Sequence, residues 1–391
     1  MTGRSRPAIT GVGVSDIGRN TGRPAMIHLA EAVDRALASA GLTRADIDGI
    51  ATYPGRTDNS PGMSPLGVGE ARGALGLTTR WHCATPDGPA QIAPVMVAAM
   101  AVMTGQARHV LCFRALTESS SQTAGRRASI AGAGKERIGG WFSWLIPVGA
   151  MSAANWAGWM ATRYFHEFAM TREHLATVAI DQRQFALMNP AAIMKKPLTR
   201  DDYFSARMIS SPLGLFDCDV PIDGAAAVIV SAPDAARDCR QPALRIEAMG
   251  SAMRSGETWD QRADLTTMGA HDAAADLWAR TSIRPHELDV LGVYDGFSIF
   301  VPMWLEALGL CGHGEAKDLI ASGAIGPGGR YPVNTGGGQL SGGRLHGFGL
   351  LHEVCLQLRG EAGARQVPNA ASGVCGVGGG FIAGAILLSR D

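Results

Sequence analysis

The 391-residue chain is 46% hydrophobic and 18% charged, enough apolar material to bury one large core or two. Thirty-five basic and thirty-five acidic residues give zero formal net charge, so no strong electrostatic case follows for a nucleic-acid or membrane partner. Its longest apolar runs, residues 93–103 and 381–388, are too short to span a bilayer.

In chain order, a basic tail passes directly into a strand-like run near residues 8–14 without a signal-peptide hydrophobic region, and the seven irregularly spaced cysteines suit a reducing compartment. A cytoplasmic enzyme is expected. A helical pattern over 30–40 leads to LTRADIDGIATY (42–53), which ends as a strand. A helix over 93–103 then stops at Gly105 and basic residues, a C-cap signature, before the strand-like HVLCF (109–113). From about 119 to 209 the alternation of strand and helix breaks. A Gly/Ser-rich stretch reads as a mobile or irregular loop, and a segment with four tryptophans follows. These aromatics form either the core of a helical subdomain or a cap that shapes an apolar acyl pocket.

After the buried strand-like AAAVIVS (225–231), the pattern repeats. IRPHELDVLGVY (283–294) aligns without gaps on 42–53, placing Tyr294 on Tyr53, and a helical pattern over 273–280 precedes it. A second echo pairs 98–113 with 350–367, and its strand is expected at 380–389. Two echoes in the same order indicate a duplicated α/β unit, with an N-terminal half over 1–237 and a C-terminal half over 238–391.

The passage with the most chemistry is NTGGGQLSGGRLHGFG (334–349), a Gly-dense loop bearing Arg344 and His346 that runs into a helix. Together with residues 98–111, 187–230, 293–323 and VCGVGGG (374–380), it resembles the thiolase superfamily, in the lipid-transfer branch related to the sterol carrier protein x thiolase. The resemblance implies a duplicated five-layered αβαβα fold with an inserted helical and loop subdomain, normally as a homodimer acting on acyl-CoA. CoA enters as part of the substrate, and no further cofactor or metal is implied. Relatives often work beside a small OB-fold, zinc-ribbon protein, although this chain carries no CxxC pair of its own.

Thiolases use an N-terminal nucleophilic Cys, a His in Gly-His-Pro, and a C-terminal Cys-x-Gly. Here the first position falls at about Gly88, with Cys83 five residues earlier as the alternative nucleophile. The second aligns with Arg344, with His346 two residues on. The third is retained as Cys375 with Gly376 and Gly378. Steroid side-chain-cleaving relatives carry a tyrosine at the position of Tyr294 and commonly a second one where this chain has Phe348. Retro-aldol cleavage needs no acyl-carrying nucleophile, so the losses and retentions favour a carbon–carbon lyase acting on a β-hydroxyacyl-CoA with a bulky acyl group, such as a steroid side chain. Tyr294 or His346 would be the base, Cys375 the acid at the α-carbon, and Asn334, Arg344, Gly376 and Gly378 the groups at the substrate oxygen. The alternatives are a thiolase or acyltransferase using Cys83, and a non-catalytic acyl-CoA-binding scaffold. Tyr294, His346 and Cys375, the last placed just before the final strand, are expected in one pocket.

Overall fold

The computed structural model describes residues 6–57, 60–122, 139–254, 256 and 258–390. The first half runs β1 (Ala8–Val14), α1 (Ala25–Ala40), β2 (Gly49–Thr52), α2 (Val68–Leu75), β3 (Trp81–Ala84), α3 (Ala93–Met103) and β4 (His109–Thr117). An excursion follows through α4 (Glu118–Ser121), α5 (Phe142–Leu145), α6 (Ala153–Phe168), α7 (Arg172–Met188), α8 (Arg200–Ser205) and the small hairpin β5 (Met208–Ser210) and β6 (Leu213–Gly214). The chain returns as β7 (Asp223–Ser231). It then runs β8 (Leu244–Ser251), α9 (Gly269–Trp278), β9 (Val290–Val293), α10 (Phe300–Ala307), α11 (Ala316–Ala321), α12 (Phe348–Arg359), β10 (Ser372–Gly379) and β11 (Ile382–Ser389).

The main sheet has the order β3-β2-β4-β7-β1-β8-β11-β10-β9. It is mirrored about the short β1–β8 contact: β4/β7 and β10/β11 are antiparallel pairs, and β2 and β9 run parallel to β4 and β10. Even the edge has its counterpart, since Val333 bridges Leu291 of β9 in parallel as β3 pairs with β2. The boundary placed at 237/238 lies in the connection from β7 to β8.

Five layers follow from which helix covers which face. α1 lies on the outer face of β1, β7 and β4, and α9 on that of β8 and β11. α3 and α12 form the middle layer. Val95 and Met96 of α3 share one core with Leu351 and Val354 of α12, Val228 of the first half-sheet and Ile386 of the second. Most of α3 is buried in this layer, which accounts for much of the continuous apolar run over residues 93–103, while Met100 and Met103 are exposed. Each large side chain so enclosed contributes about 1.5–3 kcal/mol. Gly105 and Gly360, at φ +74 each, end α3 and α12 in the left-handed conformation that their sequences signal.

One element departs from expectation. The strand matching β4 is β10, not the final run, and β10 has the unstrandlike sequence SGVCGVGG. Its glycines are imposed by packing: a Cβ at Gly376 would stand 2.5 Å from the Trp304 ring. Cys375 therefore lies inside a strand of its own, still ahead of the last one. The excursion is helical as expected, while most of its Gly/Ser-rich stretch (123–138) falls outside the described residues. Trp141, Phe142 and Trp156 pack into a small aromatic core with Leu145 and Trp259.

Candidate active site

Between His109 and Thr117 at its ends, β4 is apolar except for Arg114, which is fully buried, and it leads straight into Glu118, 3% exposed. Across from them the Gly-dense loop presents Arg344 and His346. Arg344 donates from Nε to Glu118 Oε2 (2.9 Å) and from Nη1 to Asp219 Oδ1 (3.0 Å). His346, in the left-handed region at φ +48, places Nε2 3.2 Å from Glu118 Oε2 and Nδ1 3.4 Å from Arg114 Nη2. An arginine can only donate, so Nδ1 is the acceptor and the imidazole proton sits on Nε2, facing Glu118. Arg114 also donates to the Tyr53 carbonyl, and its Nε has no partner among the described residues.

The electrostatics follow from this enclosure. Burial pushes Glu118 upward, but Arg344, His346 and Arg114 outweigh it and hold the carboxyl well below its ordinary range. Burial lowers Arg344, yet Asp219 and Glu118 more than restore it. Burial also lowers His346, and Glu118 only partly offsets that, so the ring is a neutral imidazole near neutral pH. Arg114, without so close a counter-charge, is pulled down to about 10 by burial.

Tyr294 follows β9 directly, and its N–H donates to the Gly376 carbonyl (2.8 Å). Its ring stacks on Phe300 at 6.4 Å, and its hydroxyl has no hydrogen-bond partner among the described residues. Burial and then the Asp219 charge raise the phenol above its usual value, against the opposing pull of Arg344. Tyr294 thus borders the same charge cluster as His346 and Arg344.

The other sequence candidates fare differently. Cys375 is fully enclosed, paired with Gly292 and Ile386, its Sγ 4.0 Å from the Gly347 carbonyl, and burial drives its thiol far up. This is a packed core position beside the loop. Asn334 spends its amide on one residue: Oδ1 accepts from Val293 N–H (2.8 Å) and Nδ2 donates to Val293 C=O (2.9 Å). It ties the loop to β9 and keeps one Nδ2–H without a partner among the described residues. Arg344 is engaged by two carboxylates instead of awaiting an anion. Gly376 is paired on both sides within β10. Gly378, past the end of the β9 pairing and at φ +104, faces Ala90: a Cβ there would stand 2.9 Å from the Ala90 methyl. Ala90, at φ +56, heads the turn into α3, where Asp87, Gly88, Pro89 and Ala90 bring no thiol. Cys83 lies on edge strand β3, bonded to its neighbour's carbonyl, with burial raising its thiol. That environment does not activate a nucleophile.

Arg114, Glu118, Asp219 and Asp295 were not singled out from sequence. A lone arginine in an otherwise apolar strand run, with a glutamate four residues on, was the available signal.

A cavity of about 150 Å³ lies under the Gly loop, walled by Val14, Ile17, Leu345, Gly347 and Leu350 among others. Its lining includes neither Tyr294 nor His346. The one group with metal-ligand spacing among the described residues is His271, Glu306 and His313. His271 Nδ1 accepts from Met268 N–H, which leaves the proton on Nε2, and Glu306 already accepts from Tyr164, Gly314, Ala316 and His313. These residues prop the α10–α11 corner.

Known proteins resemble this chain over most of its length. Residues 251–389 match the family model described as thiolase C-terminal domain-like. A 17-hydroxy-3-oxo-4-pregnene-20-carboxyl-CoA lyase of Mycobacterium tuberculosis is 36% identical over 91% of this chain and 92% of its own length. A steroid side-chain-cleaving aldolase of Thermomonospora curvata is 35% identical over 91% and 90%. Among solved structures, an Ltp2-ChsH2(DUF35) aldolase superposes with a TM-score of 0.86 at 32% identity, covering 99% of this chain and 98% of that one.

Proposed function

The chain belongs to the thiolase superfamily, in the branch of the steroid side-chain-cleaving aldolases, and from that premise we propose that it cleaves a β-hydroxyacyl-CoA whose acyl group is bulky and apolar, such as a steroid side chain. It is a carbon–carbon lyase, and the observation that carries the retro-aldol reading is the head of α3. A methyl group at Ala90 and a glycine at Gly88 cannot carry an acyl thioester, whereas retro-aldol cleavage requires no such carrier.

The base takes the β-hydroxyl proton, the Cα–Cβ bonding pair passes to Cα as the thioester enolate, and the β-carbon leaves as a ketone or aldehyde. Return of the proton to Cα gives the shorter acyl-CoA. Tyr294, whose hydroxyl is unpartnered, acts at the β-oxygen. Arg344 favours the phenolate it must pass through. Since Cys375 is walled into the core, the proton taken by Tyr294 is the one returned to Cα. The Gly378 backbone faces the enolate oxygen, a good donor there contributing roughly 3–4 kcal/mol. His346, neutral and tethered at both nitrogens, orients the Glu118–Arg344 pair. An aromatic series from Tyr294 through Phe300, Trp259 and Trp156 to Trp141, with neighbouring centroids 5.2–6.4 Å apart, supports a large apolar acyl group.

Incubation with matched β-hydroxyacyl-CoA and β-ketoacyl-CoA panels should yield a carbonyl compound and a shortened acyl-CoA from the hydroxy series alone. The intact protein should gain no acyl mass. An increment mapped to Cys83, or turnover of the keto series only, would transfer the chain to the thiolases.

Two assembly features complete the proposal. The β3 edge leaves His82 and Ala84 exposed, and pairing with a second copy would remove that open edge. Light scattering should therefore give twice the 40.9 kDa chain mass, and a monomer at micromolar concentration would refute the pairing. The Ltp2-ChsH2 structure pairs two named components, and we assign this chain a small OB-fold, zinc-ribbon partner that completes the acyl-CoA site. The compartment is cytoplasmic in this reading, and no described helix is long and apolar enough to cross a membrane.

A further inference from the structure

Directly behind Tyr294 lies a polar cluster that the proposed reaction does not use. The carboxyl of Asp295, fully buried, accepts from the Gln339 N–H (2.8 Å), the Leu340 N–H (3.4 Å) and the Gln339 side-chain amide (3.3 Å). This fastens the turn Gly338–Gly342 to the end of β9. The same turn then carries the rest of the site. Gln339 C=O accepts from Val220 N–H (3.0 Å), and Val220 C=O accepts from Arg344 N–H (2.9 Å). Asp219, the neighbour of Val220, pairs with the Arg344 side chain. Asp295 is thus the covalent neighbour of Tyr294 and the anchor of the loop bearing Arg344 and His346.

A second residue belongs to this anchor. Gln182 of α7 is 2% exposed, and neither its Oε1 nor its Nε2 has a partner among the described residues. Its Oε1 and Asp295 Oδ2 both crowd the point where a Gly338 Cβ would stand, 2.5 and 2.0 Å away. Only glycine fits there, and two acceptor oxygens close on the same point. A proton between them would turn that opposition into a hydrogen bond and satisfy an otherwise orphaned buried amide.

We propose that Asp295 is a positioning residue for the lyase reaction, holding the Arg344–His346 loop against Tyr294 as a neutral carboxylic acid that donates to Gln182. The inference rests on the assignment of the reaction to the Tyr294 site. Burial raises the carboxyl to about 7 despite the backbone donors of Gln339 and Leu340, in keeping with a proton held there. The groups facing it agree. Asp219 adds negative charge, Tyr294 is a phenol, and Arg183, the nearby cation of α7, is turned to Ser341 Oγ and the Lys196 carbonyl.

The test exploits the likeness of Asn to a protonated Asp: Oδ1 keeps the Gln339 N–H (3.1 Å) and side-chain amide (3.3 Å), Nδ2 donates to Gln182, and the Leu340 N–H (3.4 Å) alone loses its acceptor. Asp295→Asn should retain kcat within about threefold and lose any decline in activity as pH rises through about 7. Asp295→Ala should lower kcat by roughly 10²-fold with KM little changed, since the displaced groups act on the reacting centre. Gln182→Leu, which removes the acceptor, should shift the pH decline downward while the protein stays folded by circular dichroism. If Asp295→Asn loses as much as Asp295→Ala, the negative charge matters and the proposal fails. Should Asp295→Ala fail to fold, the Asn and Leu variants decide alone, and an unmoved pH profile in both overturns it. Tyr294→Phe with full turnover would instead remove the underlying site assignment.

Discussion

Replacing Tyr294 by Phe should lower kcat for β-hydroxyacyl-CoA cleavage by roughly 10²–10⁴-fold, the usual scale for a proton-transferring group, and leave the melting temperature unchanged. The change removes one oxygen. The ring keeps its place against Phe300, and no hydrogen bond to another described residue is broken. In the Asp295→Asn protein, where no carboxyl titrates beside the phenol, kcat/KM should also climb with pH through neutrality. Burial keeps the phenol above its ordinary 10.0, so the reactive phenolate is scarce and grows as protons are withdrawn. Adding Tyr294→Phe there should abolish that rise. An Asp295→Asn profile that levels off near pH 6, with full activity in Tyr294→Phe and none in His346→Ala, would move the base to the imidazole.

The repeat architecture was legible because duplication writes itself twice. The strand-ending Tyr53 and Tyr294, and the Gly-capped helices α3 and α12, carry matching local signals, and local signals are what a sequence displays. β10 escaped notice because its residues were chosen by what presses on it. Gly376 yields to Trp304 and Gly378 to Ala90, and the glycines erase the β-branched pattern that marks a strand. Tyr294, Arg344 and His346 were visible as chemical types in a recognisable loop. Their partners were not. Glu118 lies 226 residues from Arg344 and 228 from His346, and nothing local announces such a pairing. The same blindness explains Asn334 and Cys375. Each has a residue type suited to catalysis, and each serves the fold, one through the Val293 backbone and the other in the middle-layer core.

Glu118→Gln should be the most destabilising single change at the site, at about 3–5 kcal/mol by chemical denaturation near neutral pH, the cost of breaking a buried ion pair from one side. Glu118 holds Arg344 by two nitrogens and receives the His346 Nε2–H. Without its charge, Asp219 alone faces Arg344, and Arg114 keeps only neutral partners. The pH dependence separates this from a packing effect. In the folded protein the Glu118 carboxyl is held well below its ordinary 4.5, so on acidification the unfolded chain takes up this proton first. The stabilisation is complete above about pH 4.5 and is lost as pH falls below it. His346, lowered from 6.5, adds acid destabilisation of the same sign, starting nearer neutrality, in both wild type and variant. Asp295, raised from 3.8 to about 7, has the opposite sign, its stabilisation fading as pH rises, again in both proteins. The Asp295 term cancels in the comparison, and the His346 term, which Glu118 itself raises, cancels once both proteins also carry His346→Asn, so that the Glu118 term remains. In that background the stability gap left by Glu118→Gln should therefore be widest from pH 5 to 8 and narrow steadily below about pH 4.5. A gap of constant size down to pH 3 would mean that the glutamate acts through shape, and the charge cluster would no longer account for the fixed, neutral His346.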